Sequence, residues 1–352
     1  MEPSHDTPLA PLTSLAVGGP AERLYTCATD EDLQAVLAEA DGQQLWVLGY
    51  GANALISDAG LPGTTICIRT AQILRDGDTI VADAGVWWDD LVQHAIREQL
   101  WGLELMSAIP GGVGAAVVGN IAAYGQAVAD TLAWVEVFDR TAGQTRRLVP
   151  DELELSYRYS RFQTDDFKDL VILRAAFNLR AEPTKEVTYQ SALDIAREIG
   201  ADVSTLAGRR QTILETRGRA GSLWDYHDPG TQMHTAGSFF RNPVVSQETA
   251  EKLMAYDETG KTAEMLQKMN RVHGGDQKRV SAAHVLLATG FVRGQTWGPV
   301  RLHPDHILKL ENTGGATAQQ IYDVAREIIL TVKTKLDIEL QPEVRFLGEF
   351  KD

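Results

Sequence analysis

The stretch 45–68, LWVLGYGANALISDAGLPGTTICI, places G-x-G-x-x-A directly after an apolar run. Glycines spaced this way let backbone N–H groups approach a phosphate closely, because no side chain stands in between. A Rossmann dinucleotide unit needs that loop to run straight into a helix whose N-terminus faces the pyrophosphate. Here the chain continues through Ser57, Asp58, Gly60, Pro62 and Gly63 into the β-branched run Thr64-Thr65-Ile66. That is turn chemistry followed by a strand. The pattern therefore predicts an anion-binding loop between two strands and speaks against a Rossmann turn.

A second small-residue stretch runs from Ser107 to Gln126, SAIPGGVGAAVVGNIAAYGQ. Taken alone it reads as a tightly packed helix. Pro110-Gly111-Gly112 marks a turn, however, and Gly119-Asn120 a second break, which suits a backbone wrapped around a ligand. Three further stretches carry reactive types: SYRYSRF (Ser156 to Phe162), AGSFFRNP (Ala236 to Pro243) and LQPEVRFLG (Leu340 to Gly348). Individually their residues have plain readings. Ser238 follows a glycine and suits a turn or cap, Arg158 and Glu343 suit an ion pair between distant segments, and Tyr189, in the separate stretch VTYQSALD, suits ordinary packing.

The elements that must position these stretches follow from periodicity. The opening residues to about Thr13 read as a loose arm. AERLYTCATD reads as a strand ending at Thr29, a good N-cap, with Thr29 to Asp32 resembling a capping box in which Asp replaces Glu. Leu33, Val36 and Leu37 then share a helical face, and QLWVLGYG is the next strand. A βαβ unit therefore delivers the glycine loop. TIVADAGVWW and DLVILRAAFNL read as strands, and WVEVFDRTAGQTRRLVP as a hairpin with Thr141-Ala142-Gly143 at its tip. WDDLVQHAIREQLWG, SQETAEKLMAYDETG, SAAHVLLATGFVRG and TAQQIYDVAREIILTVKTKLDI are helical by period. GPVRLH and ILKLEN are short strands, and Arg217 to Thr235 reads as a crossover. The whole is α+β.

Bulk properties limit the partners. At 352 residues the chain has room for about two or three domains. Its formal charge of -15 excludes a general nucleic-acid or anionic-membrane surface, since both need a basic face. An anionic ligand must be held by a local pocket against that field. Cys27 and Cys67 lack metal-ligand spacing, so neither a disulfide scaffold nor a metal site is expected. No secretory signal pattern or membrane-length apolar run is visible, and a cytoplasmic protein without an obligate protein partner is expected.

Together, and in this order, the motifs resemble the UDP-N-acetylenolpyruvoylglucosamine reductases, also called UDP-N-acetylmuramate dehydrogenases, from about Leu12 to Gly348. AGSFFRNP followed far downstream by PEVRFLG is the specific part. The resemblance implies an FAD-binding fold of the vanillyl-alcohol-oxidase (PCMH) type in two subdomains, plus a C-terminal α+β substrate-binding domain. The implied boundaries are 12–69, joined by 340–352, for the first subdomain, 70–227 for the second, and 228–339 for the substrate domain. It also implies non-covalent FAD, NADPH as co-substrate and a small nucleotide-sugar substrate. Two departures stand out. Tyr50 occupies a position where a small residue is usual, and the segment before Ala236 is longer and less regular than the family's basic-proline stretch.

The implied reaction reduces a vinyl ether conjugated to a carboxylate. Hydride arriving at the terminal carbon pushes charge onto the carboxylate, which needs fixed donors and a proton for the neighbouring carbon. By resemblance, Arg158 supplies a permanent planar cation, Glu343 a neutral acid donor, and Ser238 the proton. FAD is implied against Gly49, Tyr50, Gly51, Ala52, Asn53 and Ser57, and against Ile109, Pro110, Gly111, Gly114, Gly119, Asn120, Tyr124 and Gly125. Tyr189, Asn242 and Arg241 are implied substrate contacts, and Lys278, Arg279, Arg293, Arg301 and Lys309 are further candidates for the diphosphate. His303 and Asn312 match the family spacing without an evident role. The competing readings are another flavin oxidoreductase of this fold and a non-catalytic nucleotide-sugar-binding protein.

Overall fold

A computed structural model describes residues 1–40, 44–228, 234–256, 263, 264, 266, 267 and 278–352. The chain forms two compact units, the first from residues 1–7, 21–52 and 61–233, the second from 8–20, 53–60 and 234–352.

In the first unit one sheet has the order Ser4–Pro8, Pro20–Cys27, Leu61–Ile68, Leu45–Leu48. Its last three strands are parallel. The helix Asp30–Glu39 makes the crossover. The Thr29 hydroxyl accepts from the Asp32 N–H at 3.1 Å, and three acidic residues in the first turn face the positive end of the helix. Leu33, Val36 and Leu37 are buried, as their spacing requires. Past the glycines the chain enters the short strand Ala54–Ile56 and then Leu61–Ile68, with no helix between. The loop is thus strand–loop–strand, as its turn residues predict.

The expected loose arm is corrected. Ser4–Pro8 is an edge strand in the first unit. In the second unit Leu9 is fully buried, and the Thr13 hydroxyl donates to the Val17 carbonyl at 2.9 Å. The polar run SHDTP hides a strand because an edge strand is held by backbone pairing and needs no apolar alternation.

A second sheet of the first unit is antiparallel, in the order Gln144–Leu148, Leu132–Asp139, Leu170–Asn178, Thr79–Asp83, Ile73–Asp76. The predicted hairpin is its edge pair. The helices Trp88–Arg97 and Val113–Gly119 bury Trp88, Leu91, Val113 and Val117 in one core with Phe177, whose ring lies 5.9 Å from that of Trp88. Two helices, Gln190–Ile199 and Leu206–Arg219, were not expected. The second buries Gly208, Arg209 and Thr212 alongside Leu206 and Ile213, so its inward face has no apolar period. Arg217 and Arg219 lie in its last turn, so the expected crossover starts as helix. Residues 229–233 of that stretch, and 257–260 of SQETAEKLMAYDETG, lie outside the described residues.

The second unit has an antiparallel sheet, Thr296–Trp297, Val300–Leu302, Leu310–Asn312, and the helices Gln247–Met254, Ala282–Ala288 and Ala318–Leu336. The longest starts with a Thr317–Gln320 capping box. Its first N–H groups, from Ala318 and Gln319, also donate to the Asp58 carboxylate at 2.8 and 2.9 Å. Ala54–Ile56 pairs in parallel with Arg345–Leu347, so the residues leaving the glycine loop are tied to the C-terminal segment.

The helix Leu206–Arg219 is locked by a buried ion pair, Arg209 Nη1 to Glu104 Oε1 at 2.8 Å, with side-chain exposures of 5% and 0%. Glu104 Oε2 also accepts the Gly102 N–H at 2.8 Å, and Arg209 Nε donates to the Val203 carbonyl at 2.8 Å. Arg209→Met leaves a buried carboxylate unpaired and should cost about 3–5 kcal/mol, whereas Glu104→Leu with Arg209→Met should cost clearly less. Urea unfolding midpoints of the two variants check this ordering.

Candidate active site

Within the first unit the two glycine-bearing stretches face each other. A Cβ added at Gly111 would lie 3.8 Å from the Ala52 Cβ, and one at Gly49 would lie 3.9 Å from the Ala115 Cβ. Deeper in, a Cβ at Gly114 would meet the Ala84 Cβ at 2.9 Å, so this helix can seat only with glycine there. Backbone bonds fix the segment: Trp88 N–H to Gly111 O at 2.8 Å, Val113 N–H to Val86 O at 2.9 Å and Gly114 N–H to Ala84 O at 2.9 Å. A Cβ at Gly125 would meet nothing within 4 Å. Small residues thus let the two stretches approach closely, and space stays open beside Gly125, which suits the close backbone approach of a bound dinucleotide such as FAD.

Tyr50 does not disturb the loop. Its ring is buried, its hydroxyl donates to the Gly85 carbonyl at 2.7 Å, and burial pushes its pKa up to about 12. The Arg69 guanidinium lies 4.2 Å over the ring and donates to the Gly49 carbonyl at 2.8 Å. Trp87 and Tyr226 pack edge-on against Tyr50 at 4.8 and 4.4 Å. Both departures from the family pattern, Tyr50 and the segment before Ala236, thus meet in one aromatic cluster.

The same unit holds a group of non-glycine residues in the left-handed region: Ala108 (φ 56°), Asn120 (φ 40°), Tyr124 (φ 48°) and Arg158 (φ 54°). Such backbone persists only when its surroundings over-determine it. Asn120 caps the helix Val113–Gly119, donates from Nδ2 to the Ser156 carbonyl at 2.7 Å and accepts the Ala129 N–H at 3.0 Å. Arg158 sits in a turn closed by reciprocal Ser156–Tyr159 bonds of 3.1 Å. Its Nη1 donates to the Ala122 carbonyl at 3.0 Å, and its own carbonyl accepts from Gln163 Nε2 at 3.0 Å. Arg158 and the Asn120–Gly125 stretch are therefore fastened together. Tyr124 packs edge-on against Tyr189 at 5.7 Å, and burial raises its pKa. Tyr189 is 42% exposed at the start of the helix Gln190–Ile199.

In the second unit the serine motif and the C-terminal motif are neighbours. Glu343 N–H donates to the Phe239 carbonyl at 2.8 Å, Arg241 N–H donates to the Gln341 carbonyl at 2.9 Å, and Phe240 bridges Pro342. Ser238 therefore lies one residue from the partner of Glu343. Asn53 reaches the same place, donating from Nδ2 to the Glu343 carbonyl at 3.0 Å while accepting the Arg345 N–H at 3.0 Å. The Ser57 hydroxyl donates to the Glu349 carbonyl at 2.5 Å. Asn242 Oδ1 accepts the Ala282 N–H at 2.9 Å and its carbonyl accepts from Arg279 at 3.0 Å, fixing the motif's end. Arg345 is held below the usual guanidinium pKa by desolvation and by the nearby charge of Arg241.

Among the remaining candidates, Arg301 pairs with Glu311 at 2.5 Å and Lys309 is buried. Asn312 is a scaffold residue, donating to the Leu15 carbonyl at 3.0 Å and accepting from Gly314 and Ala316. His303 accepts the Asp305 N–H at 3.1 Å. Sequence reasoning missed Asp89 and Arg210. Arg217 donates to the Ala108 and Ser222 carbonyls at 3.1 and 2.8 Å, while Arg219 binds Glu198 and Glu215 at the surface. An acidic first helical turn, WDD, was the only signal for Asp89. Among the described residues there is no metal-binding cluster and no helix long and apolar enough to cross a membrane.

Known proteins resemble this chain along nearly its whole length. Residues 21–148 match an FAD binding domain family, and residues 228–347 match the C-terminal domain family of UDP-N-acetylenolpyruvoylglucosamine reductase. The chain is 35% identical to the Streptomyces coelicolor UDP-N-acetylenolpyruvoylglucosamine reductase, spanning 98% of this chain and 90% of that protein. It is 34% identical to the Thermobifida fusca enzyme of the same name over 98% of each chain. The crystal structure of UDP-N-acetylenolpyruvylglucosamine reductase from Thermus caldophilus superposes with a TM-score of 0.67 at 25% identity, covering 99% of this chain and 100% of that one. The protein is an FAD-dependent oxidoreductase with a PCMH-type FAD-binding fold and a C-terminal α+β domain, and the chain belongs to the UDP-N-acetylenolpyruvoylglucosamine reductase family.

Proposed function

We propose that this protein reduces the enolpyruvyl group of UDP-N-acetylglucosamine enolpyruvate to give UDP-N-acetylmuramate, in the cytoplasmic stage of peptidoglycan precursor synthesis, with NADPH as the source of hydride. The observation that carries the proposal is the backbone ladder that sets Ser238 beside Glu343, with the glycine-loop residue Asn53 bonded to the same Glu343 backbone. FAD, when bound, supplies a two-electron carrier that accepts hydride from one reactant and delivers it to the other.

The protein's own residues then have distinct tasks. Gly49, Tyr50, Gly51, Ala52, Asn53 and Ser57 are the proposed FAD contacts of the glycine loop. Ile109, Pro110, Gly111, Gly119, Asn120, Tyr124 and Gly125 are those of the second stretch, while Gly114 lets its helix seat against Ala84. The Arg158 guanidinium, held in a strained turn, pairs with the substrate carboxylate and stabilises the charge that grows there. Glu343, as the neutral acid, donates a hydrogen bond to that same charge. When hydride reaches the terminal vinyl carbon, the neighbouring carbon takes the proton of the Ser238 hydroxyl, and the serine regains a proton from solvent. Tyr189, Asn242 and Arg241 bind the nucleotide sugar, and the like-charged pair Arg241 and Arg345 offers a local positive field to its diphosphate.

Ser238→Ala should leave flavin reduction by NADPH near the wild-type rate and slow reoxidation by the enolpyruvyl substrate by about 10²–10⁴-fold. Stopped-flow absorbance of the two half-reactions measures this directly, and equal loss in both would remove the serine from its assigned role. Because one carrier serves both reactants in turn, initial rates at varied NADPH and several substrate concentrations should give parallel double-reciprocal lines. Intersecting lines without substrate inhibition would contradict the shared-carrier scheme.

A further inference from the structure

Ala108 immediately precedes Ile109-Pro110-Gly111 and is held from both sides. Its N–H donates to Asp89 Oδ1 at 2.6 Å, and its carbonyl accepts from Arg217 Nε at 3.1 Å. An alanine at φ 56° does not stay there by intrinsic preference. Asp89 is itself fixed by a two-pronged pair with Arg210, Nη1 to Oδ1 and Nη2 to Oδ2, both at 2.7 Å, and by Gln93 Nε2 at 3.1 Å. The carboxylate is buried, with the guanidinium only partly open to solvent. Burial alone would raise the Asp89 pKa, but the Arg210 bonds and the Ala108 N–H outweigh it and keep the group ionised. Two helices, Trp88–Arg97 and Leu206–Arg219, are thus tied by an ion pair whose carboxylate also accepts from Gln93 on its own helix and from the strained Ala108. A purely structural tie between helices would have no need to end on that residue.

We propose that Asp89 and Arg210 are positioning residues for the flavin: through Ala108 they hold the Ile109–Gly111 turn in the one conformation that presents its backbone to the cofactor. The proposal rests on the function proposed above, in which that turn lines the cradle. It is a geometric role, and neither side chain touches the cofactor.

The test separates positioning from folding. Asp89→Asn removes the charge-assisted grip, and the alanine relaxes out of the left-handed region. FAD dissociation, followed by recovery of flavin fluorescence on dilution of the holoenzyme, should show binding weakened about tenfold, the order of effect that backbone strain of this kind produces. Adding Ala108→Gly should recover most of that loss, because glycine takes a positive φ without penalty. The urea midpoint should stay low in the double variant, since the Arg210 guanidinium is still without its carboxylate. Rescue of FAD affinity without rescue of stability is the expected signature. Unchanged FAD affinity in Asp89→Asn overturns the proposal, and so does a loss that Ala108→Gly fails to recover. Gly49→Val places a side chain in the cradle, at a site where an added Cβ would make only ordinary contact with Ala115. If that variant keeps FAD, the cradle reading fails, and the positioning proposal that rests on it fails with it. If Gly49→Val loses FAD and Asp89→Asn keeps it, only the positioning role fails.

Discussion

The structure depends on backbone held where it would not rest unaided. Ala108, Asn120, Tyr124 and Arg158 all occupy the left-handed region, and each is a residue with a Cβ that disfavours it. Each sits in or beside the stretches proposed to meet cofactor or substrate. A non-glycine residue in this region costs about 1–3 kcal/mol, so four of them weigh heavily against the roughly 5–15 kcal/mol that separates folded from unfolded chains. That cost is offset by hydrogen bonds aimed at those same residues, from Asp89 and Arg217 at Ala108, from Gln163 at Arg158, and through the Asn120 side chain to Ser156 and Ala129. The outcome is a set of turns with one available shape. That is what pre-organised recognition of a developing charge requires.

The second unit solves a different problem by regular pairing. The serine motif and the C-terminal motif are far apart in sequence, yet a few ladder bonds place Ser238 next to the Phe239–Glu343 contact. The Asn53 amide and the Ser57 hydroxyl extend this ladder to the residues leaving the glycine loop. Their side chains act first as fasteners of the C-terminal segment. Asp58 does the same for the longest helix by accepting its first N–H groups. The residues that leave a loop read as ligand-binding therefore also help to hold the second unit together.

Much of this was legible in the sequence, for identifiable reasons. The glycine loop could be assigned to a strand–loop–strand because Pro62, Gly63 and the β-branched run after them leave no room for a helix. Thr29 announced its helix through capping chemistry that needs no tertiary contact, and the stretch from Thr317 announced its helix by period. The helix Leu206–Arg219 was missed because its inward face is made of Gly208, Arg209 and Thr212, and a guanidinium buried against Glu104 has no apolar signature. The edge strand Ser4–Pro8 was missed for the related reason that backbone pairing leaves no mark on side-chain pattern. Asp89 and Arg210 escaped because their importance lies in what they hold in space. Charged residues that act by holding backbone in place thus proved the hardest to find from spacing alone.

The central claim is that a guanidinium, a carboxylic acid and a hydroxyl from three remote stretches act on one small unsaturated acid. An X-ray structure of the Ser238→Ala variant, loaded with FAD and the enolpyruvyl substrate, tests it most directly. The account predicts the Arg158 guanidinium and the Glu343 carboxyl within hydrogen-bonding distance of the substrate carboxylate, with the methyl group that replaces the serine hydroxyl against the carbon that takes the proton. Density for the enolpyruvyl group in a cavity that lacks any of the three would contradict it.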